Sequence, residues 1–138
     1  MELPEIHVCF RIISKAASVK EIAESLSLKP DKTWSVGQTR KGTLIKEVNS
    51  GVEFCSVNRG KVTLNEELNK LLKRVMGAVS PSKKFPRDYK KQFSCVIYSS
   101  ATPELYLDER VISGVAEHGA SIDIDLYKFD REEKPARN

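Results

Sequence analysis

The sequence has few of the residues that mark a secreted fold, a metal centre or a membrane anchor. Its 138 residues include three cysteines, two histidines and one tryptophan. No apolar run approaches the roughly 18 residues that a membrane-spanning helix needs. The N-terminus also lacks the basic and then apolar segments of a secretory signal. We therefore expect a protein of the cytoplasm that has no membrane contact.

The cysteines and histidines do not have the spacing of a metal or redox motif. Cys9, Cys55 and Cys95 are odd in number, and each stands inside an apolar, strand-like run. This context predicts three small buried hydrophobic residues. His7 and His118 are too few and too far apart in the sequence to indicate a metal site. We accordingly predict no cofactor and no metal.

Signatures of catalysis are missing as well. The chain has no glycine-rich phosphate loop, zinc-protease motif or nucleophile elbow. Asp123 and Asp125 are two residues apart on a predicted strand, which puts them on one face about 7 Å apart. Such a pair could act as general acid and base or bind a hard cation, although a solvated sheet face fits it better. We favour a protein that is not an enzyme, with a small hydrolase using this pair as the weaker alternative.

The pattern of apolar residues predicts a single α+β domain over residues 1–130, followed by a polar C-terminal tail over 131–138. Strands and helices alternate, and strand–helix–strand units favour crossovers onto one sheet. We predict a two-layer sandwich with a mainly antiparallel sheet of four or five strands and three helices, ferredoxin-like with an added central helix. The predicted elements are strands at 6–13, 44–57, 93–99 and 121–127, and helices that begin after Ser18, Thr63 and Asp108.

The stretch from Leu26 to Arg40 has no periodicity and contains the only tryptophan. Pro30 ends the preceding helix, and Gly37 provides the permissive backbone of a turn. Trp34 either packs against the sheet or, with Gly37 and Arg40, forms a recognition surface, because Trp and Arg often anchor interfaces. Residues 44–57 then form either a hairpin or one strand after an irregular arm.

Positive charge is concentrated in the first two thirds of the chain. Residues 1–91 hold 18 Lys and Arg against 10 Asp and Glu, and residues 92–138 hold 5 against 9. Clustered cations with interleaved aromatic residues can hold phosphates and stack bases, but a solvated face or an acidic protein partner fits better, because Asp123 and Asp125 on the alternating strand would repel phosphate. The cluster comprises Lys70, Lys73, Arg74, Lys83, Lys84, Arg87, Lys90 and Lys91, with Phe85 and Tyr89 between them.

Three blocks of the sequence together resemble the bacterial DUF4279 family. They are residues 26–37 with Trp34, the helix after Thr63 with Leu71 and Leu72, and residues 93–127 with the Ile-Asp-Ile-Asp-Leu-Tyr strand. The likeness spans about residues 6–129. It implies a small bacterial cytoplasmic domain and supplies no activity, cofactor or catalytic residue. Some such domains occur among toxin-immunity genes, which implies an immunity or antitoxin-like role.

We therefore predict a small, cytoplasmic, non-enzymatic module that binds another protein. A nucleic-acid-binding domain that uses residues 70–91 is the alternative. The oligomeric state is left open by the sequence. The predicted binding residues are Trp34, Gly37, Arg40, Lys83, Lys84, Arg87 and Tyr89.

Overall fold

The structure, a computed structural model, describes residues 4–129. The predicted tail at 131–138 and the outermost residues of the predicted domain lie outside this range. The strands are β1 (Glu5–Ser14), β2 (Lys32–Trp34), β3 (Ser50–Arg59), β4 (Lys90–Ser99) and β5 (Ser121–Lys128). The helices are α1 (Val19–Glu24), α2 (Leu64–Ala78) and α3 (Glu109–Glu117).

The five strands form one sheet in the order β2-β3-β1-β4-β5. The pairs β1–β3, β1–β4 and β2–β3 are antiparallel, and β4–β5 is parallel. The predicted α+β architecture, with five strands and three helices, is confirmed. The finer, ferredoxin-like description stays a prediction. Each helix joins two parallel strands, since α1 joins β1 to β2 across β3, α2 joins β3 to β4 across β1, and α3 joins the neighbours β4 and β5. The strict alternation of apolar and polar residues along 121–127 is typical of an antiparallel strand with one face in water, and the parallel pairing of β5 with β4 corrects that expectation.

The core lies on one face of this sheet. Ile6, Val8, Phe10 and Ile12 of the central strand are at most 2% exposed, since alternate residues of a strand point to the same side. The register places Phe54 and Phe93 beside Phe10 on its two neighbouring strands. Helix α2 packs on β1 and β3, α1 packs on β3, and α3 packs on α2 and β5. In the part of the chain that the structure describes, no helix is both long and apolar enough to cross a membrane.

The predicted helix starts are confirmed. The Ser18 side chain accepts from the Glu21 N–H while the Glu21 carboxylate accepts from the Ser18 N–H, which forms a capping box. Thr63 and Asp108 cap α2 and α3 with their side chains alone, which accept from the N–H groups of Glu66 and Val111. Each of these contacts joins residues three positions apart, so the local sequence is enough to specify it.

Two regions differ from the sequence expectations. Residues 44–57 follow the second reading, since β3 is one strand preceded by an irregular segment, and β2 lies in the stretch that showed no periodicity. The helical spacing of Val111, Ile112, Val115 and Ala116 predicts that all four face the core, but Ile112 and Ala116 are exposed. Because α3 lies at the border of the helical layer, over the outermost strand, only Val111 and Val115 become buried.

Gly51 and Trp34 provide a test of how the edge strand is held. The two residues are paired across β3 and β2, and a Cβ atom added at Gly51 would lie 2.3 Å from Cζ2 of the indole. We expect Gly51→Ala to displace the indole and to lower the free energy of unfolding by about 1–3 kcal/mol, the usual cost of overpacking. Urea unfolding of the two proteins measures the difference.

The matched control is Gly77→Ala in α2, where the new Cβ would meet only Leu28 Cδ1, at 3.4 Å. That change should leave stability unchanged or raise it, because alanine favours a helix interior over glycine. In a Trp34→Ala background the cost of Gly51→Ala should also become smaller. An equal cost in both backgrounds would show that the indole is not what excludes a side chain at position 51.

Candidate functional site

Two irregular segments leave the same end of the sheet. Residues 35–49, which we call the arm, connect β2 to β3, and residues 80–89, which we call the basic loop, lead into β4. Since β3 and β4 are both antiparallel to β1, both begin at the end where β1 finishes. Asn49 of the arm and Asp88 of the basic loop line one shallow pocket together with Ser14. The fold therefore brings together two segments that are far apart in the sequence.

The arm is ordered by its own backbone hydrogen bonds. The Gly37 N–H donates to the Glu47 carbonyl at 2.7 Å, and the Glu47 N–H donates to the Gln38 carbonyl at 2.8 Å. Nearer the tip, the Arg40 N–H donates to the Ile45 carbonyl at 2.8 Å. Gly37 has a φ of 85°, in the left-handed region that favours glycine. The predicted turn at Gly37 is thus present, and a narrow hairpin-like projection begins there.

Large apolar side chains at the end of the arm point into solvent. Leu44 is 97% exposed, and Ile45 and Val48 are each more than half exposed. They lie among cationic residues, of which Arg40 forms an ion pair with Glu47 at 3.1 Å. These apolar groups add nothing to the core, so their exposure on an ordered projection favours a contact surface.

The basic loop is held to the sheet at its C-terminal end. The Ser14 hydroxyl donates a hydrogen bond to the Asp88 carboxylate. The rings of Phe85 and Tyr89 stack with centroids 5.5 Å apart, and Lys91 Nζ lies 5.1 Å from the Phe85 centroid. Burial raises the pKa of the Tyr89 phenol. The two aromatic rings therefore stack on each other and are not held out to receive a base.

The predicted cations of the loop are directed to solvent. Lys83, Lys84 and Arg87 are exposed, and none of them forms an ion pair within residues 4–129. Their positive charge is therefore available to a partner, with Asp88 as the acidic residue of the loop.

Two helical residues of the basic cluster, Lys70 and Arg74, contact acidic residues of the fold instead. Lys70 lies 3.8 Å from the buried carboxylate of Glu67. Arg74 donates two hydrogen bonds to Asp31, at 2.6 and 2.7 Å, and a third to the Cys55 carbonyl at 3.0 Å. Within residues 4–129, Lys70 and Arg74 of α2 thus form ion pairs, whereas the cations of the basic loop form none. Sequence proximity alone could not separate the two.

Trp34 is half-buried and lies over Gly51, where it holds the short strand β2 on the sheet. This position matches the packing alternative of the sequence analysis. It also places the residue at the base of the arm, next to Ser35. A role of Trp34 in binding remains a prediction.

The expectation of three separate buried cysteines is wrong for two of them. Cys9 and Cys55 face each other on β1 and β3 and are joined by a disulfide bond. Both are only half-buried, on the sheet face that has no helices. Cys95 is free and buried as predicted, and burial raises the pKa of its thiol to about 12. The bond joins residues 46 positions apart, and nothing in the local sequence specifies that pairing.

The paired carboxylates of β5 remain isolated. Asp123 and Asp125 are exposed, opposite Ser94 and Val96 of β4. Among residues 4–129, one group of at least three potential metal ligands lies close together, and it does not include either aspartate. The arrangement is that of a solvated sheet face and adds no support to a hydrolase.

His118 lies in the core at the end of α3, close to the rings of Phe10 and Phe93. It is 2% exposed, and its Nε2 has no hydrogen-bond partner in the described part of the chain. Burial and the nearby Lys91 lower its pKa, so the protonated form that a helix C-terminus would favour is opposed. The residue also borders a groove of about 350 Å³ between α2 and α3.

A comparison with family models matches residues 4–129 to a model described as Domain of unknown function (DUF4279). No curated protein and no solved structure matches the chain. The match covers both the arm and the basic loop, and its description states no activity, ligand or partner.

The Arg74–Asp31 contact makes the free energy of unfolding depend on pH in the acidic range. Hydrogen bonds from Arg74 hold the pKa of the Asp31 carboxyl below its ordinary value of 3.8. The folded chain then binds fewer protons than the unfolded chain, so this stabilisation is present above pH 3.8 and is lost as the pH falls through the lower, folded pKa. We expect Asp31→Asn to remove that acid dependence and, because both side chains are more than a third exposed, to cost about 1 kcal/mol at pH 7.

Urea unfolding between pH 7 and pH 2.5 measures the difference between variant and wild type. Arg74→Gln should change the pH dependence of the free energy of unfolding in the same way. The double variant should lose little more stability than either single variant. If the stability of Asp31→Asn fell with decreasing pH as steeply as that of wild type, the Asp31 carboxylate would not be bound to Arg74.

Proposed function

We propose that this chain, which belongs to the DUF4279 family, is a cytoplasmic protein-binding module without enzymatic activity. The arm and the basic loop form the binding surface in this proposal. The observation that carries it is the 97% exposure of Leu44 at the tip of a hydrogen-bonded projection. An apolar side chain held in water by an ordered backbone is ready to be buried by a partner.

The arm supplies the apolar part of the surface. Leu44 and Ile45 lie at its tip, and the turn behind them is closed by the Arg40 and Gly37 backbone contacts. A projection that is already ordered loses less conformational entropy on binding than a disordered loop would. It is therefore suited to insert into an apolar recess of another protein.

The basic loop supplies the charge. Lys83, Lys84 and Arg87 are exposed to solvent, and their loop lies at the same end of the sheet as the arm. Cations at the rim of an interface mainly speed association and select a partner of opposite charge. We infer that the partner presents an apolar recess bordered by acidic residues.

An immunity or antitoxin-like role is consistent with this chemistry. Such a protein acts by occupying a surface of its target in a stoichiometric complex, and it needs no catalytic group of its own. The support comes from the exposed arm and from the sequence resemblance described above.

Nucleic-acid binding is the second candidate, and the unpaired cations of the basic loop favour it. Two features weigh against it. Phe85 and Tyr89 stack on each other, whereas proteins that hold single strands present aromatic faces to the bases. An apolar arm tip also gains nothing from contact with phosphates.

Capture experiments on the tagged chain test the proposal. Lysate of the native cell is passed over wild type, Leu44→Asp, or a variant with Lys83, Lys84 and Arg87 changed to Glu. We expect wild type to retain a stoichiometric protein after nuclease treatment and high salt. Leu44→Asp should reduce its recovery at least about tenfold, since a buried anchor contributes about 1–2 kcal/mol or more.

Ile112→Asp is the matched control, because Ile112 is also an exposed apolar residue, 56% accessible, but lies on α3 away from the arm. It should bind like wild type. Circular dichroism and unfolding curves check that each variant is folded. Retention of nucleic acid that disappears with nuclease or salt would favour the second candidate. Equal recovery of the partner by all four proteins would contradict the assigned surface.

A further inference from the structure

Cys9, Glu53 and Cys55 form a compact group on the sheet face that has no helices. One potential ligand atom from each lies within 4.8 Å of the others, and all three side chains are half-buried. Within residues 4–129, these three residues are the set of at least three potential metal ligands that lie close together. Neither the arm nor the basic loop contributes to it, so it is independent of the proposed protein-binding surface.

The strand register fixes the two cysteines opposite each other. The Cys55 N–H donates to Asp31 Oδ2 at 2.8 Å, and the Cys55 carbonyl accepts from Arg74 at 3.0 Å. Both backbone groups of Cys55 therefore point away from β1. Cys9 and Cys55 are then a non-hydrogen-bonded pair, in which the Cα atoms of antiparallel strands approach most closely. Their Cα atoms are 4.1 Å apart.

Glu53 is oriented toward the sulfur atoms by a second residue. Its Oε1 lies 3.1 Å from Cys55 Sγ. Its Oε2 accepts a hydrogen bond from Arg11 Nε at 2.5 Å. Outer residues that bind one oxygen of a carboxylate commonly hold the other in place for a metal. Arg11 would be such a positioning residue.

We propose that the reduced form of this group binds one thiophilic divalent cation of the zinc class. Cys9 and Cys55 would each supply a thiolate, Glu53 would supply one carboxylate oxygen, and the fourth position of the tetrahedron would be open to solvent. Zinc accepts this mixture of sulfur and oxygen ligands, whereas calcium and magnesium take oxygen ligands alone.

The disulfide and the metal site exclude each other. A dithiol reductant transfers two electrons and two protons to the Cys9–Cys55 bond, giving two thiols and the oxidised, disulfide form of the reductant. Each thiol then releases a proton as it binds the cation. Disulfides persist mainly in oxidising compartments and are uncommon in the cytoplasm. The reduced form is therefore the one expected at the proposed location of this protein.

Titration of the reduced full-length chain with Co²⁺ tests the site. Cobalt replaces zinc in such sites and gives a thiolate-to-metal charge-transfer absorption in the near ultraviolet. We expect this absorption to reach its maximum at one equivalent and to disappear when Zn²⁺ is added. It should be lost in Cys9→Ser and in Cys55→Ser, and binding should weaken at least tenfold in Glu53→Gln. The matched control is Cys95→Ser, which should bind like wild type because Cys95 is buried on the opposite face.

A second measurement avoids reliance on variants that could fail to fold. Zn²⁺ should protect two thiols of the reduced wild-type chain from alkylation, and mass spectrometry should identify them as Cys9 and Cys55. The oxidised chain should bind neither metal. Absence of both the absorption and the protection would overturn the proposal, as would an undiminished absorption in Cys9→Ser. Either result leaves the capture experiments on the arm unaffected.

Discussion

One-sided burial of the central strand is the constraint on which the rest of the structure depends. Ile6, Val8, Phe10 and Ile12 point to one side of β1 and are closed off from water, so every helix must lie on that side. On the other face, most residues of β1 are half-buried, Cys9 and Arg11 among them. The exposed tip of the arm and the exposed cations of the basic loop likewise lie outside the core, although Phe85 and Tyr89 of that loop pack against it. Both proposals therefore concern side chains that lie outside the hydrophobic core.

The outer edge of β3 shows how one network can stabilise the fold and position a site. β2 covers only the first part of this edge. Beyond it, Asp31 and Arg74 satisfy the N–H and the carbonyl of Cys55, which would otherwise be open to pairing with another strand. The same contacts turn the Cys55 backbone away from β1 and bring its side chain close to Cys9.

The parts of the fold that the sequence predicted are those specified by near neighbours. Ser18 and Glu21 form a cap across three residues, and the alternation of β1 fixes its buried side without reference to other strands. Register is different, because it depends on how distant strands align. For that reason, the local sequence does not predict that Cys9 and Cys55 lie opposite each other. The role of Arg74 was missed too, since its partner Asp31 lies 43 residues away. Within the proposed site, the sequence predicts the cations of residues 80–89 but not Leu44, because nothing local shows that an apolar residue stays exposed.

The central claim is that a partner binds at the arm and the basic loop, and oxidative footprinting of the chain with its captured partner tests it most directly. Hydroxyl radicals label exposed side chains, and mass spectrometry reports which of them the partner covers. The account predicts protection of Leu44, Ile45 and Val48, with Tyr127 and Ile112 labelled as in the free chain. Protection confined to the open sheet face or to α3, with the arm still fully labelled, would contradict it.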